Sequence, residues 1–547
     1  MLPFPDRAAR LPDLGVGIST EHGAIDVPGA VDPLGARQRH RRWLQFLEVG
    51  VEVEKGLDRL ARAWAQAGLP TTYHFLDLNL DDPADLDPDW LQAVRGHVAT
   101  LRPAWLCGDA GLWHFGPRDR NQMLLLPPIL SREAAAAMAH GVIRLREESG
   151  AEVLPENPPG TAFAGPLHIA EFFAELALAA DTGLVVDCAH LALYQRVTGR
   201  AALDQIDQLP FDHVVELHIA GGRTRQTDGF AWVEDDHGPV ALPDTWRIAE
   251  HIARRAPNLK AIVVECERNP IAQTRGLFSR AEAVWSLRPR RRRPAAPPRP
   301  PPPAPPPFAQ SAHGRLQAEL VARHMGITLP GPVDPAVAAL DPRAFATDPL
   351  RPLRLLTALL EEFPVSVALA GLDRARAYLT APTGLAACLA EHGVVAASFA
   401  AFLAPEAGPL GAVEAALARC RRPAPRRRGL GPGHAVIELP AGGLQAWLGL
   451  AAKLGPEPAR AVAEGLRLDP PALPLDVVEL VLIQPQAGGG FVPSVEEGPF
   501  AALLRRLMAG EADAAALIAV LGRSGLEEAE AHEILDGLRA ERLLVDG

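Results

Sequence analysis

AEVLPENPPGTAFAGPLHIAEFFAELALAADTGLVVDC, residues 151–188, is the stretch that decides the fold class. It opens on a short apolar run ending in polar residues, AEVLPEN (151–157). A helical pattern follows in PLHIAEFFAELALAADT (166–182), and a second apolar run, GLVVDC (183–188), closes the stretch. Strand, helix, strand in this order predicts two parallel strands joined by a crossover helix.

The same unit recurs in both directions. The other strand candidates are LGVGIS (14–19), LEVGVEV (47–53), TTYHFLDL (71–78), AWLC (104–107), VVELHIAG (214–221) and AIVVECE (261–267). Amphipathic stretches such as DWLQAVRGHVATL (89–101) and SREAAAAMAHGVIRLREES (131–149) lie between them. Eight strands alternating with helices predict a (β/α)8 TIM barrel, whose active site lies at the strands' C-terminal ends. A doubly wound open sheet is the alternative. It calls for a Gly-rich phosphate loop after the first strand, and GVGISTEHG (15–23) does not fit G-x-G-x-x-G.

The barrel pattern ends at about residue 287. RPRRRRPAAPPRPPPPAPPP (288–307) cannot form helix or sheet interior, because proline fixes φ and lacks the amide donor. It reads as a semi-rigid, extended linker over 288–312. Ala/Leu-rich helices then suggest a mainly helical domain over 313–425, with a second break at RRPAPRRRGLGPG (421–433). Residues 430–547 mix strand candidates with three closing helices and read as an α+β, winged-helix-like region. Its helices are acidic and none is a basic recognition helix, which weakens a DNA-binding reading.

Composition narrows the classes further. A hydrophobic content of 48% supports real cores, and a net charge of −12 argues against a general nucleic-acid binder. Five widely spaced cysteines do not form a disulfide framework and fit a reducing cytoplasm. No signal peptide or membrane span is expected from the apolar runs.

The chemistry lies in polar residues at strand ends, where a buried charge must be paired or must ligate metal. His74 sits in TTYHF and Asp109 follows AWLCG. Glu156 and Asn157 end VLPEN, and Asp187 and His190 follow GLVV. Glu216 and His218 sit in VVELHIAG, Asp235 and His237 in VEDDHGPV (233–240), and Glu265 and Glu267 end the last strand. Crowded carboxylates at one barrel mouth repel each other unless a cation intervenes. Mixed imidazole and carboxylate donors suit non-haem iron, manganese or zinc, and so large a set suggests more than one ion. Cys188 and Cys266 read as core packing. His97, His140, His168, His213 and His251 read as structural.

In the order of these motifs, GVGISTEH, TTYHFLDLNL, NQMLLLP, VLPENP, IAEFFAELA, GLVVDCAHLAL, VVELHIAGG, DDHGPV and VVECE, the chain resembles the multinuclear non-haem iron-dependent oxidative enzymes of the MbnB/TglH type. The resemblance covers residues 14–270. It implies a TIM barrel holding two or three irons, with dioxygen as co-substrate. The implied reaction modifies a side chain, often cysteine, of a ribosomally made precursor peptide. The implied metal ligands are His74, Asp109, Glu156, Asn157, Asp187, His190, Glu216, His218, Asp235, His237 and Glu265, with a looser match at His22. Two family imidazoles are missing, at Gly50 of LEVGVEV and in Gly108-Asp109-Ala110. Residues 313–420 resemble the helical partner protein such enzymes work with, so the C-terminal half is expected to replace a separate partner. The closing region is expected to capture a leader peptide by strand addition. Neither nucleic acid nor membrane is an expected partner. The same strand-end pattern also fits other metal-dependent barrels, such as sugar isomerases and endonucleases, and a catalytically degenerate peptide-binding scaffold.

Overall fold

The computed structural model describes residues 2–20, 31–53, 55–116, 124–289, 300–305, 311–422, 429–474, 476–486, 490–511 and 513–545. His22 and most of the Pro/Arg-rich linker lie outside these. The described chain divides into two units.

The first unit is the expected barrel. Its strands are β1 (Gly15–Thr20), β2 (Leu47–Val51), β3 (Thr71–Phe75), β4 (Leu106–Asp109), β5 (Val153–Glu156), β6 (Leu184–Asp187) and β7 (Val214–Ala220). An antiparallel hairpin, β8 (Gly222–Thr227) and β9 (Phe230–Asp235), precedes the last barrel strand, β10 (Ala261–Glu265). The eight barrel strands close in the order β1-β10-β7-β6-β5-β4-β3-β2, every neighbour parallel. The sequence pattern anticipated neither the hairpin nor the position of β4. The hairpin's GRTRQT is polar and mostly exposed. Asp109 proves to be the last residue of β4, not a residue beyond it.

Around the sheet run α2 (Pro33–His40), α3 (Arg59–Gln66), α4 (Pro88–Leu101), α5 (Arg132–Ser149), α6 (Ile169–Ala180), α7 (Cys188–Thr198), α8 (Pro243–Ala253) and α9 (Ile271–Trp285), preceded by the short α1 (Phe4–Ala8). Their starts are chemically marked: the side chains of Asp58, Asp87, Ser131 and Asp187 accept backbone N–H bonds in the first turns of α3, α4, α5 and α7. Gly150 and Gly199 end α5 and α7 with positive φ.

Two apolar layers follow from strand alternation. Outward side chains such as Val186, Leu217 and Val264 pack under the helices. Inward ones at the amino-terminal end, Trp105, Cys107, Leu154, Val185 and Val263, enclose Phe4 and Ala8 of α1, which therefore stoppers that end. Arg7 ties the stopper down through Glu152 and Asp181, each 2.7 Å away.

The first unit does not end at the Pro/Arg-rich stretch. Residues 311–326 and 331–349 belong to it, whereas the sequence pattern starts a separate helical domain at 313. α10 (Ala312–His324) returns to the loop after β3, where Asp81 accepts from His313 and, at 2.9 Å, from Gln317. Farther on, Thr161 in the loop after β5 donates to the Ala344 carbonyl at 2.7 Å. Arg343 reaches the Asp228 carbonyl at the hairpin tip, 3.3 Å away.

The second unit is made chiefly of residues from Leu350 onward, with the short segments Gly116–Asn121 and Ile327–Pro330. Its early helices include Arg351–Glu362, Val395–Ala407 and Gly411–Cys420. A short pair joins β11 (Gly429–Leu430) to the C-terminal β15 (Leu544–Val545), and β12 (Ala435–Pro440), β13 (Val478–Pro485) and β14 (Phe491–Glu496) form an antiparallel sheet. The sheet's faces alternate as its sequence dictates. Ala435, Ile437, Leu439, Val481 and Ile483 pack on Gly411–Cys420, while Val436, Leu480 and Leu482 pack on the three closing helices. The helical region of the sequence reading thus packs, through Gly411–Cys420, on the sheet of the region that follows it. The stretch Val395–Cys420 has the length and composition of a membrane span. It is broken at Gly408–Leu410, and Phe399, Leu403, Val413 and Ala416 on it are buried in this unit's core.

Candidate metal centre

The barrel's carboxyl end converges on a compact ring. His74 Nε2 lies 3.0 Å from Glu156 Oε2 and 3.9 Å from Asp109 Oδ2. His218 Nδ1 stands 3.0 Å from Glu156 Oε1 and 3.3 Å from Glu265 Oε1. His190 Nε2 is 3.0 Å from Asp235 Oδ2, which is 3.5 Å from His237 Nε2. Donor atoms of His74, Asp109 and Glu156 lie within 4.8 Å of one another, as do those of Glu156, Asp187 and His190, and those of Asp187, His218 and Glu265. Glu156 and Asp187 each belong to two of these groups, as bridging carboxylates would.

Strand parity explains the convergence. Asp109, Glu156, Asp187 and Glu265 are the last residues of β4, β5, β6 and β10. Register pairs Asp109 with Glu156 and Asp187 with His218. The neighbours of these residues orient them. Asp187 Oδ1 accepts the His190 backbone N–H at 2.6 Å, so one oxygen caps α7. The Asn157 carbonyl accepts a hydrogen bond from His190 Nδ1 at 2.8 Å, which turns Nε2 toward Asp235. Glu267 Oε1 holds His237 Nδ1 at 2.7 Å. Such carboxylate–imidazole and carbonyl–imidazole pairs fix the tautomer and aim of metal-binding histidines. His237 sits at φ +47°, a strained conformation for a residue with a side chain.

Not every expected residue joins the ring. The Asn157 side chain bridges β5 and β6 instead, accepting from the Asp187 N–H and donating to the Asp187 carbonyl, both at 2.9 Å. Glu216 lies deeper, its Oε2 accepting from Trp105 Nε1 at 2.7 Å, and groups with Glu48 and Cys107. Glu48 was missed by the sequence reading. It is buried, its Oε1 is 3.4 Å from His218 Nε2, and it groups with His74 and His218. The signal was a lone acid in the apolar run LEVGV. Cys188 and Cys266 pack in the outer core, away from the ring.

Electrostatics show what charge the ring favours. Burial, reinforced by Glu156, pushes the Asp109 carboxyl up to about 7. Burial and Glu48 push Glu216 up to about 8. Burial raises Asp187 well above the carboxylate range. Burial opposes protonation of His74, but its bond to Glu156 and the charges of Glu48 and Asp109 outweigh it and raise the imidazole to about 9. His190, His218 and His237 are raised well above the ordinary imidazole value against the same burial, chiefly by Asp187, by Glu156 and by Glu267. These shifts favour protons among the crowded carboxylates and imidazoles, the role a cation takes in a metal site. Asp109 Oδ1, Asp187 Oδ2, Asp235 Oδ1, Glu265 Oε2 and both His218 nitrogens are buried without a hydrogen bond. Buried polar atoms left this way are costly, and these sit where donors to a metal would. Histidine and carboxylate donors with no thiolate fit iron, manganese or zinc.

Residues 32–286 match the family model for RiPP precursor modification enzymes MbnB/TglH/ChrH. A UPF0276 protein of Anaeromyxobacter sp. is 23% identical over 256 residues, covering 46% of this chain and 86% of that protein. A UPF0276 protein of Chromobacterium violaceum is 26% identical over 282 residues, covering 49% of this chain and 94% of that protein. One from Caulobacter vibrioides is 28% identical over 256 residues, 45% and 85% of the two chains. Among solved structures, endonuclease IV from Thermus thermophilus aligns with 50% of this chain and 98% of its own at 15% identity and a TM-score of 0.33.

Proposed function

We propose, from a barrel whose residues 32–286 match the MbnB/TglH/ChrH family, that the protein is a multinuclear iron oxidase. It would use dioxygen to modify a side chain, cysteine first among them, of a ribosomally made precursor peptide. The family match and the clustered donors support the broader statement, a metal-dependent barrel enzyme. The observation that carries the finer reading is the continuous ring in which Glu156 and Asp187 are shared between donor groups.

The chain's own residues have defined work in this reading. His74, Asp109, Glu156, Asp187, His190, His218 and Glu265 would hold the metals, with Asp235 and His237 beside His190 at the ring's outer edge. Iron bound there would supply electrons to dioxygen, a chemistry side chains lack. The Asn157 carbonyl and Glu267 keep the imidazoles aimed. Burial of the ring excludes bulk water from all but its outer edge, where the His237 side chain is 25% exposed.

The second unit would hold the peptide. Among the described residues no strand pairs with the outer edge of β14. Pro493 lies within β14, and a proline is tolerated in a ladder only where its missing N–H would face away from the partner strand. Val495, two residues on, therefore turns its N–H to the same open edge, where an extended peptide can add. A weakly held peptide on the same chain as the barrel gains effective concentration there. Five free, buried cysteines support a reducing, cytoplasmic setting.

The test is metal content by plasma mass spectrometry on protein purified without oxygen, for wild type and Asp187→Ala, followed by oxygen uptake with a candidate peptide. Several irons per wild-type chain, falling sharply in the variant, with peptide-dependent oxygen uptake, support the oxidase. Stoichiometric zinc or manganese moves the reading to a hydrolase or isomerase. A chain that binds no metal is a scaffold.

A further inference from the structure

Beneath the ring lies a second inward layer, two residues earlier on each strand. Thr72 lies below His74, Cys107 below Asp109, Leu154 below Glu156, Val185 below Asp187, Glu216 below His218 and Val263 below Glu265. Interior layers of such barrels are ordinarily filled by branched apolar side chains. Leu154, Val185 and Val263 obey that rule. Glu48, Thr72 and Cys107, on the adjacent strands β2, β3 and β4, break it, and so does Glu216 of β7, which stands between Val185 and Val263.

Glu48, Cys107 and Glu216 have essentially no exposed surface. Their donor atoms lie within 4.8 Å of one another. Cys107 Sγ donates to Glu48 Oε2 at 3.1 Å, and Thr72 Oγ1 donates to the same oxygen at 3.2 Å. Trp105 occupies Glu216 Oε2, and Glu216 Oε1 is buried with no hydrogen bond at all. Above, Glu48 Oε1 reaches His218 Nε2. Two buried acids and a thiol, one oxygen unsatisfied, joined through Glu48 to the ring, are costly in a barrel interior unless something binds them.

The geometry points to a further cation site on the barrel floor, with Cys107 and Glu216 as ligands and Glu48 shared with the ring, for a divalent first-row transition metal that accepts sulfur. This rests on the reading that the ring above binds metal, and it adds the sulfur donor that the ring lacks. Binding displaces the Cys107 proton, because the thiolate is the ligand form. Thiolate ligation selects against magnesium, calcium and manganese at this position.

Cobalt(II) tests it in the full-length protein, stripped of metal and refilled without oxygen. A thiolate–cobalt bond gives an intense near-ultraviolet charge-transfer band that nitrogen and oxygen ligands do not give. The wild type should show the band. Cys107→Ser should lose it and bind a single cobalt fewer per chain, while Cys188→Ser and Cys266→Ser keep it. Cadmium NMR on the wild type, which needs no variant to fold, should place one resonance in the sulfur-ligated region, coupled to the Cys107 β protons. Cobalt uptake with no charge-transfer band, a band that survives Cys107→Ser, or no sulfur-ligated cadmium overturns the floor site and leaves the ring standing. A protein that takes up no cobalt overturns both.

Discussion

Asp187 serves two structures with one carboxylate. Oδ1 caps α7 through the His190 N–H, and Oδ2 faces the ring without a hydrogen bond. The two roles separate by substitution. Asp187→Asn keeps an oxygen for the cap and loses the charge, so metal affinity should fall by about tenfold or more with little change in thermal stability. Asp187→Ala should also lose about 1 kcal/mol through the cap. Isothermal titration with iron beside a thermal melt distinguishes them; equal destabilisation in both variants would refute the division.

Other residues at the barrel's carboxyl end set a pH dependence. Asp109 and Glu216 are raised to about 7 and about 8, and His74 to about 9. An acid with a raised folded pKa stabilises the fold at low pH and loses that contribution as pH rises to its folded value. A histidine with a raised pKa loses its contribution as pH rises through that value. All three push one way: the metal-free barrel should melt at lower temperature as pH rises from about 5 to about 9. Metal competes with these protons, so metal affinity should rise over the same range. Melting curves of stripped and iron-loaded protein at several pH values check both signs.

At the scale of elements, β14 offers a direct probe of peptide capture. Val495→Pro removes an outward N–H while leaving the ladder to β13, so affinity for an added strand should fall about fivefold, the worth of one hydrogen bond. Iron content should stay constant; fluorescence anisotropy with a labelled precursor peptide reads the loss. The barrel's strands were legible because each pairs an apolar run with a polar terminus, as in VLPEN and GLVVDC. The hairpin β8–β9 was not, because GRTRQT lies in solvent and carries no apolar periodicity. Glu48 hid among valines whose alternation marks an ordinary strand. Cys107 gave no sign of its neighbours, since what makes it notable is Glu216, far away in sequence and adjacent only once the barrel closes. Helix α10 was assigned to the wrong side of a boundary, because a proline run reads as a border and says nothing about where the chain goes next.

At the scale of the molecule, residues 312–326 and 331–349 meet loops at the strands' C-terminal ends, anchored at Asp81, Thr161 and the Asp228 turn. Asp81→Ala leaves His313 and Gln317 without their shared acceptor, a loss of about 1–3 kcal/mol. Limited proteolysis within these segments should quicken, with metal uptake by the ring unchanged. The opposite end of the barrel is shut by α1, whose Phe4 and Ala8 fill the floor beside Trp105. A vessel with a single door fills from the back. Whatever ion settles deepest must arrive before those nearer the entrance, and it departs after them. If the ring holds more than one metal, chelation should therefore proceed in stages, last in and first out, with whatever lies nearest the exposed His237 edge surrendered before the rest.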